Sequence, residues 1–261
     1  MLHIGADTVN IDEFVKALIE CIDKKGMTFF TGAGLSTASG IRDFNGENGL
    51  YKEKVDGREI LSHKYLEENP LKFYKFFRKY LINENVKPNL MHEVIAELQK
   101  EGVVRSILTQ NIDGLDTAAG SKEVIELHGN ARKFHCMSCN RNYSLNDIIG
   151  MDIVPKCSCG GLIRPDIILY GEELDPYLLN ISRNMIRYSN SVLVLGTELD
   201  VDPAANLVRD FIGEKKTYMG RHKKLFIVNK GATDYDYFAD YKYDGDIMEV
   251  AQKIKEYRKG V

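Results

Sequence analysis

"TGAGLSTASGIRDF" occupies residues 31–44 and directly follows the short apolar run "MTFF". A strand that feeds a glycine turn is the βα setting of a nucleotide site in a parallel sheet. The dinucleotide fingerprint is G-x-G-x-x-G. Gly32 and Gly34 stand in place, but Thr37 holds the position of the third glycine. Two glycines permit a sharp turn and let a diphosphate approach backbone N–H groups, with Ser36 and Ser39 as added hydroxyl donors. Taken alone, the stretch reads equally as an ordinary Gly/Ser turn.

The flanks favour the nucleotide reading. Upstream, Asn10 is placed as a helix N-cap with Glu13 at the capping-box position, and Ile11, Phe14, Val15, Leu18, Ile19 and Ile22 share one face. Gly26 then stops the helix, and residues 27–31 form a strand. Further apolar runs at 103–110, 123–127, 191–197 and 225–229 read as strands covered on both faces. Helical patterns at 90–101, 203–212 and 247–257 lie between them. This alternation predicts a doubly wound α/β fold, a Rossmann-like parallel sheet. Residues 45–85 ("PLKFYKFFRKYLI" among them) and 132–164 interrupt it, and both read as insertions that build a smaller lobe.

With 261 residues, 44% apolar and 28% charged, the chain has an ordinary globular composition and enough length for a full core. A net charge of −3 gives no general pull toward nucleic acid or anionic membranes. No apolar run approaches the roughly 20 residues that span a bilayer. The N-terminal "MLHIGADTVNIDEF" has no basic region followed by an apolar stretch, so a cytoplasmic location is expected. Of five cysteines, Cys21 stands alone, while Cys136, Cys139, Cys157 and Cys159 form C-x-x-C and C-x-C pairs 17 residues apart. Without an export signal that grouping suits one tetrahedral zinc better than disulfides. Four protein ligands close the coordination sphere, so the ion is structural.

Two more segments place polar groups at strand ends. "TQNIDGLD" (109–116) presents Gln110, Asn111 and Asp113 where open α/β sheets hold their ligands, although an Asn/Asp-rich turn is the plain alternative. "ELHGN" puts His128 at the end of another strand. A lone histidine is more often structural, but this one shares the crevice with two other polar strand ends and can move a proton near neutral pH.

In this order the motifs resemble those of the sirtuins, the NAD-dependent protein lysine deacylases. The family loop G-A-G-x-S-x-x-S-G-I-P-D-F-R appears as "GAGLSTASGIRDFN", and "TQNID", "LHGN", "RPDIILYGE" (164–172) and "GTELDVDPA" (196–204) follow in family order. The resemblance covers residues 11–257 and implies one catalytic domain over 1–261. Its large NAD-binding lobe would comprise about 1–44, 86–131 and 165–261, and its small lobe about 45–85 and 132–164. It implies NAD as co-substrate, one structural zinc, and acyl-lysine proteins or peptides as substrates. Gly32, Ala33, Gly34 and Ser36 would then face the diphosphate, Ile41 the nicotinamide, and Phe44 the sugar after nicotinamide leaves. Asn111, beside Gln110, would hold the nicotinamide ribose, while Ile112 and Asp113 grip the carboxamide. Gly196, Thr197, Glu198, Asn229 and Asp244 would hold the adenosine end. The peptide would add as a strand between 168–172 and 200–203, against Ile168, Tyr170, Gly171, Glu172 and Val201. In the implied reaction the acyl-lysine carbonyl oxygen attacks C1′ of the nicotinamide ribose, so placement supplies much of the rate. His128 is the general base on a ribose hydroxyl, and the products are free lysine, nicotinamide and 2′-O-acyl-ADP-ribose. The resemblance also implies that the glycine loop becomes a cofactor flap instead of entering a helix at once, which accounts for the missing glycine.

Several positions depart from the family. Arg42 replaces a proline and Asn45 an arginine, and Arg42 is expected to take over part of that arginine's role toward NAD. Glu198 stands at a usual serine, Tyr170 at a usual phenylalanine, and Asp200 and Asp202 suggest basic residues beside the target lysine. A Y-x-x-R pair marks relatives that take acidic acyl groups. Here Phe77 follows Tyr74 at that spacing and Arg78 comes one step later, about 100° further round a helix. Neutral acyl groups are therefore expected. The altered Arg42/Asn45 loop keeps open a mono-ADP-ribosyltransferase or NAD hydrolase on the same scaffold, while His128 argues for deacylation.

Overall fold

The computed structural model describes residues 9–43, 57–82, 85–216 and 222–259, so Phe44 and Asn45 lie outside the described residues. Helix α1 (Ile11–Ile22) starts at Asn10, whose side chain accepts the Glu13 N–H at 3.0 Å. It ends at Asp23, and Gly26 then takes φ +81° in the turn before β1 (Met27–Thr31). After Gly32 come α2 (Ala33–Ser36) and a 3-10 turn, Thr37–Ser39. The first insertion supplies α3 (Gly57–Ile60), α4 (His63–Glu68) and α5 (Pro70–Tyr80). Next are α6 (Leu90–Lys100), β2 (Val104–Thr109), α7 (Leu115–Ala118) and β3 (Val124–Glu126). The cysteine segment contains β4 (Gly129–Cys136), β5 (Asn142–Ser144), α8 (Leu145–Ile149) and β6 (Ile163–Ile167). The chain closes with α9 (Pro176–Arg187), β7 (Ser191–Leu195), α10 (Ala205–Lys215), β8 (Lys224–Val228), β9 (Tyr241–Tyr243) and α11 (Ile247–Lys259).

Six strands form one parallel sheet in the order β3-β2-β1-β7-β8-β9. With the small-sheet strands left out, that is the 3-2-1-4-5-6 order of the dinucleotide fold, and its strand order reverses between β1 and β7. Every residue of β1 and β7 is buried, as central parallel strands require. One face carries a core in which Phe29 of β1 and Phe226 of β8 meet Phe14 and Leu18 of α1, Ile95 of α6 and Val250 of α11. The other buries Phe30, Val192, Val194, Leu207, Phe211 and Ile227 beneath α9 and α10.

A second, antiparallel sheet has the order β5-β4-β6. It packs with α5 around Phe73, Tyr74, Phe77, Phe134 and Ile163, a third core that also contains Cys136 and Cys157. The fully buried Tyr74 hydroxyl donates to the Ile163 carbonyl. Its burial carries the phenol beyond the ordinary tyrosine range. Pro165 interrupts no ladder, because β6 pairs with β4 alone among the described strands and a proline can sit on an edge.

Candidate active site

The C-terminal ends of β1, β2, β7 and β8 open into a cleft of ≈ 1040 Å³. That is the upper end of the usual range for ligand pockets and leaves room for an elongated ligand with a second one beside it. The strand order reverses at this same edge, where open α/β sheets bind ligands.

The glycine loop differs from the expectation that it avoids a helix. Gly32, in extended conformation, is the N-cap of α2, so the chain enters one helical turn at once and leaves through the 3-10 turn. The reason is the packing against the end of β7. A Cβ on Gly34 would stand 2.8 Å from Gly196 Cα, and one on Gly32 would stand 2.6 Å from Thr197 Cβ. Gly196 itself has φ +63°, and its Cβ would lie 2.5 Å from the Leu35 nitrogen. Both loop glycines are therefore required by close approach of two backbones. Their N–H groups are already taken, Gly32 donating to the Leu195 carbonyl and Gly34 to that of Gly196, each at 2.9 Å.

Beneath the loop lies a connected set of polar side chains. Asn111 Nδ2 donates to the Gly32 carbonyl at 3.0 Å and to Ser36 Oγ at 3.3 Å, while Ser36 Oγ donates to Asp113 Oδ2 at 2.7 Å. The Leu115 N–H donates to Asp113 Oδ1 at 2.8 Å. Burial raises the Asp113 carboxyl above its usual value, although these two donors oppose the shift. Thr197 Oγ1 donates to Gln110 Oε1 at 2.8 Å and so ties the ends of β2 and β7 together. Deeper still, Asp116 is buried with one carboxylate oxygen lacking a partner, and burial, aided by the Asp113 charge, raises its carboxyl to about 7.

His128 follows β3 and immediately precedes Gly129, the first residue of β4. Its Nδ1 lies 3.0 Å from the Gln110 carbonyl. A carbonyl only accepts, so Nδ1 carries the hydrogen and Nε2 is left as the basic nitrogen. Burial lowers the imidazole below the ordinary histidine value, with the Gln110 carbonyl pulling the other way. The histidine thus stays neutral and able to accept a proton. Gly129 has φ +80°, and a Cβ there would meet the Asp166 carbonyl oxygen at 2.1 Å, so the turn after His128 admits glycine alone.

Residues 168–172 form the opposite wall. Ile168 N–H donates to the His128 carbonyl at 2.9 Å, which places this loop beside the histidine. Tyr170, half exposed, has its N–H and carbonyl engaged by Leu61 and by His63, which bridges α4 to the loop. Glu172 is held by the Arg164 guanidinium, by the Leu169 N–H at 2.8 Å and by His63. Burial alone would raise this carboxyl, but Arg164, Leu169 and His63 together bring it down to about 2.

Among the residues expected from sequence, Ala33, Gly34, Gln110, Asn111, Ile112, His128, Gly196, Thr197, Glu198 and Asn229 all line the cleft. So do Ile168, Tyr170, Gly171, Glu172 and Val201. Gly32, Ser36 and Asp113 stand one layer below it. Ile41 donates its N–H to the Ser36 carbonyl at 3.3 Å, outside the lining. Arg42 also falls outside, its guanidinium 5.9 Å from the centre of the Tyr80 ring. Asp244 accepts the Gly231 N–H at 2.9 Å, and its neighbours Gly245 and Asp246 reach the cleft in its stead. Sequence reading missed Arg58, Leu61, Asp43, Lys230 and Met248 in the lining. Asp43 lies in the glycine-loop motif but was given no role there, while the other four belong to no motif; Arg58 and Leu61 arrive from the helical insertion only through folding.

The four cysteine sulfurs lie within 4.8 Å of one another. Cys136 and Cys159 are 3.5 Å apart and Cys139 and Cys157 3.6 Å, far beyond a disulfide bond. A tetrahedron with arms of about 2.3 Å has edges of about 3.8 Å, so the set fits a zinc tetrathiolate. A Cβ on Gly161 would lie 2.7 Å from Cys136 Sγ, which explains the glycine after "CSCG". Donor chemistry and spacing agree with a closed, structural site.

Comparison with known proteins follows from this geometry. The Sir2 family profile matches residues 32–203. An NAD-dependent protein deacetylase of Staphylococcus aureus (strain MSSA476) is 39% identical over 246 residues, covering 93% of this chain and 97% of the relative. One from Clostridium tetani is 39% identical over 253 residues, covering 95% and 96%. A solved structure of Sir2 with a p53 peptide and NAD+ superposes with a TM-score of 0.83 at 34% identity, over 95% of this chain and 99% of the other. Sir2 bound to an acetylated peptide gives 0.82 at 33%, over 94% and 98%. Sequence motifs, sheet order, cleft and cysteine cluster thus converge, and the chain belongs to the Sir2 family.

Proposed function

We propose that the protein is an NAD-dependent protein lysine deacetylase that yields free lysine, nicotinamide and 2′-O-acyl-ADP-ribose. The observation that carries this is His128, neutral and with Nε2 basic, where the nucleotide loop and residues 168–172 meet in one cleft. A reader of nucleotides without chemistry has no use for a buried base there. Bound NAD supplies the electrophilic C1′ and the ribose that accepts the acyl group. The chain's own residues position it. Asn111 donates its amide hydrogens to Gly32 and Ser36, which leaves the amide oxygen to accept a ribose hydroxyl. His128 Nε2 then takes the hydroxyl proton. Asp113 works mainly through Ser36 and Leu115, holding the turn that presents Ile112 to the nicotinamide. Ala33, Gly34, Thr197, Glu198 and Asn229 line the path of the diphosphate and adenosine.

The acyl-lysine peptide adds as a strand between residues 168–172 and 200–203, and Asp200 and Asp202 at that edge favour basic flanking residues. Neutral acyl groups fit this chain. Arg78 donates to the carbonyls of Ile148, Met151 and Asp152, and the Tyr74 hydroxyl to Ile163, so neither serves an acidic acyl tail. The division into a nucleotide lobe (about 1–44, 86–131, 165–261) and a small lobe (about 45–85, 132–164) accords with separate cores on either side of the cleft.

Purified protein, NAD and an acetyl-lysine peptide with basic flanks, followed by mass spectrometry, tests the proposal. Wild type should remove the acetyl group and form acetyl-ADP-ribose, and His128→Ala should lose at least about 100-fold in turnover. Nicotinamide release with the peptide still acetylated would point to ADP-ribosyl transfer or NAD hydrolysis instead.

A further inference from the structure

His63 opens α4 in the helical insertion, and no motif marks it. Its backbone N–H donates to the Tyr170 carbonyl at 3.0 Å, and the Tyr170 N–H donates to the Leu61 carbonyl at 2.9 Å. These bonds make a short parallel bridge between Ser62 and Tyr170. The His63 ring reaches the far end of the same loop, with Nδ1 2.8 Å from Glu172 Oε1. On its other edge Nε2 lies 3.3 Å from Glu67 Oε1, one helical turn on. The third charged group in reach is Arg164 of β6, with a guanidinium nitrogen 3.5 Å from Nδ1 and a pairing of its own to Glu172.

Carboxylates only accept, so the ring holds Glu172 by donating from Nδ1. That bond is charge-assisted through the carboxylate itself. With the backbone bridge at Tyr170 it fastens both ends of residues 170–172 to the start of α4.

We propose that His63 is a positioning residue for the acyl-lysine substrate: through Glu172 its side chain ties residues 168–172 to α4. The proposal rests on the deacetylase reading, because the tied loop is the edge on which the substrate strand adds. NAD lies along the opposite wall, so the effect falls on the peptide. Loss of the Nδ1–Glu172 bond raises the KM for peptide and leaves the KM for NAD unchanged.

The test is steady-state kinetics on an acetyl-lysine peptide, comparing wild type, His63→Ala and His63→Asn. Alanine removes the donor to Glu172, and asparagine returns an amide near the position of Nδ1. In His63→Ala the peptide KM should rise about fivefold, as expected for loss of a half-exposed charge-assisted contact, with kcat and the KM for NAD within about twofold of wild type. His63→Asn should recover most of that loss. An unchanged peptide KM in His63→Ala, or an equal rise in the KM for NAD, would overturn the proposal. If wild type binds NAD yet deacetylates no peptide, the deacetylase reading itself fails and this inference falls with it.

Discussion

At the scale of single residues, the proposed chemistry depends on which ring nitrogen of His128 carries hydrogen, and a backbone carbonyl decides it. Burial holds the ring neutral, so the acid limb of kcat should fall below the ordinary histidine value of about 6.5. A pH–rate profile with its acid limb above that value would contradict the environment described. Asp116 shows the opposite shift. Its carboxyl is raised to about 7 in the folded protein, against about 4 when unfolded. Between those values the native state binds more protons, so stability falls as pH rises through the window. Asp116→Asn should therefore raise stability above pH 7 by on the order of 1–2 kcal/mol and flatten the pH dependence, as read by urea denaturation. The place of His128 and Asn111 in the cleft was legible in the sequence because they sit at strand ends near glycine or aspartate. His63 was not, because its partners Glu172 and Arg164 are about a hundred residues away and nothing local announces the pairing.

At the scale of elements, the contact between α2 and the end of β7 is made of glycine backbone on both sides. Gly196→Ala would place a methyl group 2.5 Å from the Leu35 nitrogen at a residue with φ +63°. It should cost about 2–4 kcal/mol in stability and raise the KM for NAD, measurable by thermal melts and by titration calorimetry. A variant with wild-type melting would mean that the loop can shift without cost. The sheet was readable because β1, β7 and β8 are unbroken apolar runs bounded by polar or glycine residues. Helix α9 escaped notice because it buries little: Tyr177 is largely exposed, and only Ser182 and Ile186 are fully covered. Strand β9 is three residues long and β6 contains a proline, so neither carries a periodic signal. The one-turn helix at Ala33 was missed because it is imposed by the close approach to Gly196, a residue more than 150 positions later.

At the scale of the whole molecule, the cleft belongs to two bodies. Arg58 and Leu61 reach it from the helical insertion, while Gly196 and Asn229 directly follow β7 and β8 of the parallel sheet. The small lobe is pinned by the cysteine cluster, since Cys136 and Cys157 are part of its core. Removing zinc with a chelator should therefore cut activity at least about tenfold and loosen the aromatic packing around α5, while the parallel sheet, with two cores of its own, stays folded. Near- and far-ultraviolet circular dichroism would separate those outcomes, and an equal loss of both signals would disprove the independence of the lobes. One strand joins the cysteine cluster to the proposed base: β4 begins at Gly129, beside His128, and ends at Cys136. The paired strand β6 runs only from Ile167, opposite Gly129, to Ile163, opposite Cys136, so at about 3.3 Å per residue the two ends are roughly 13 Å apart. Cys139 and Cys159 meanwhile stay open to solvent. A thiol-reactive electrophile can thus strip the knuckle from outside while both substrates are bound. Inhibition of that kind would be time-dependent, and raising either substrate would not protect against it.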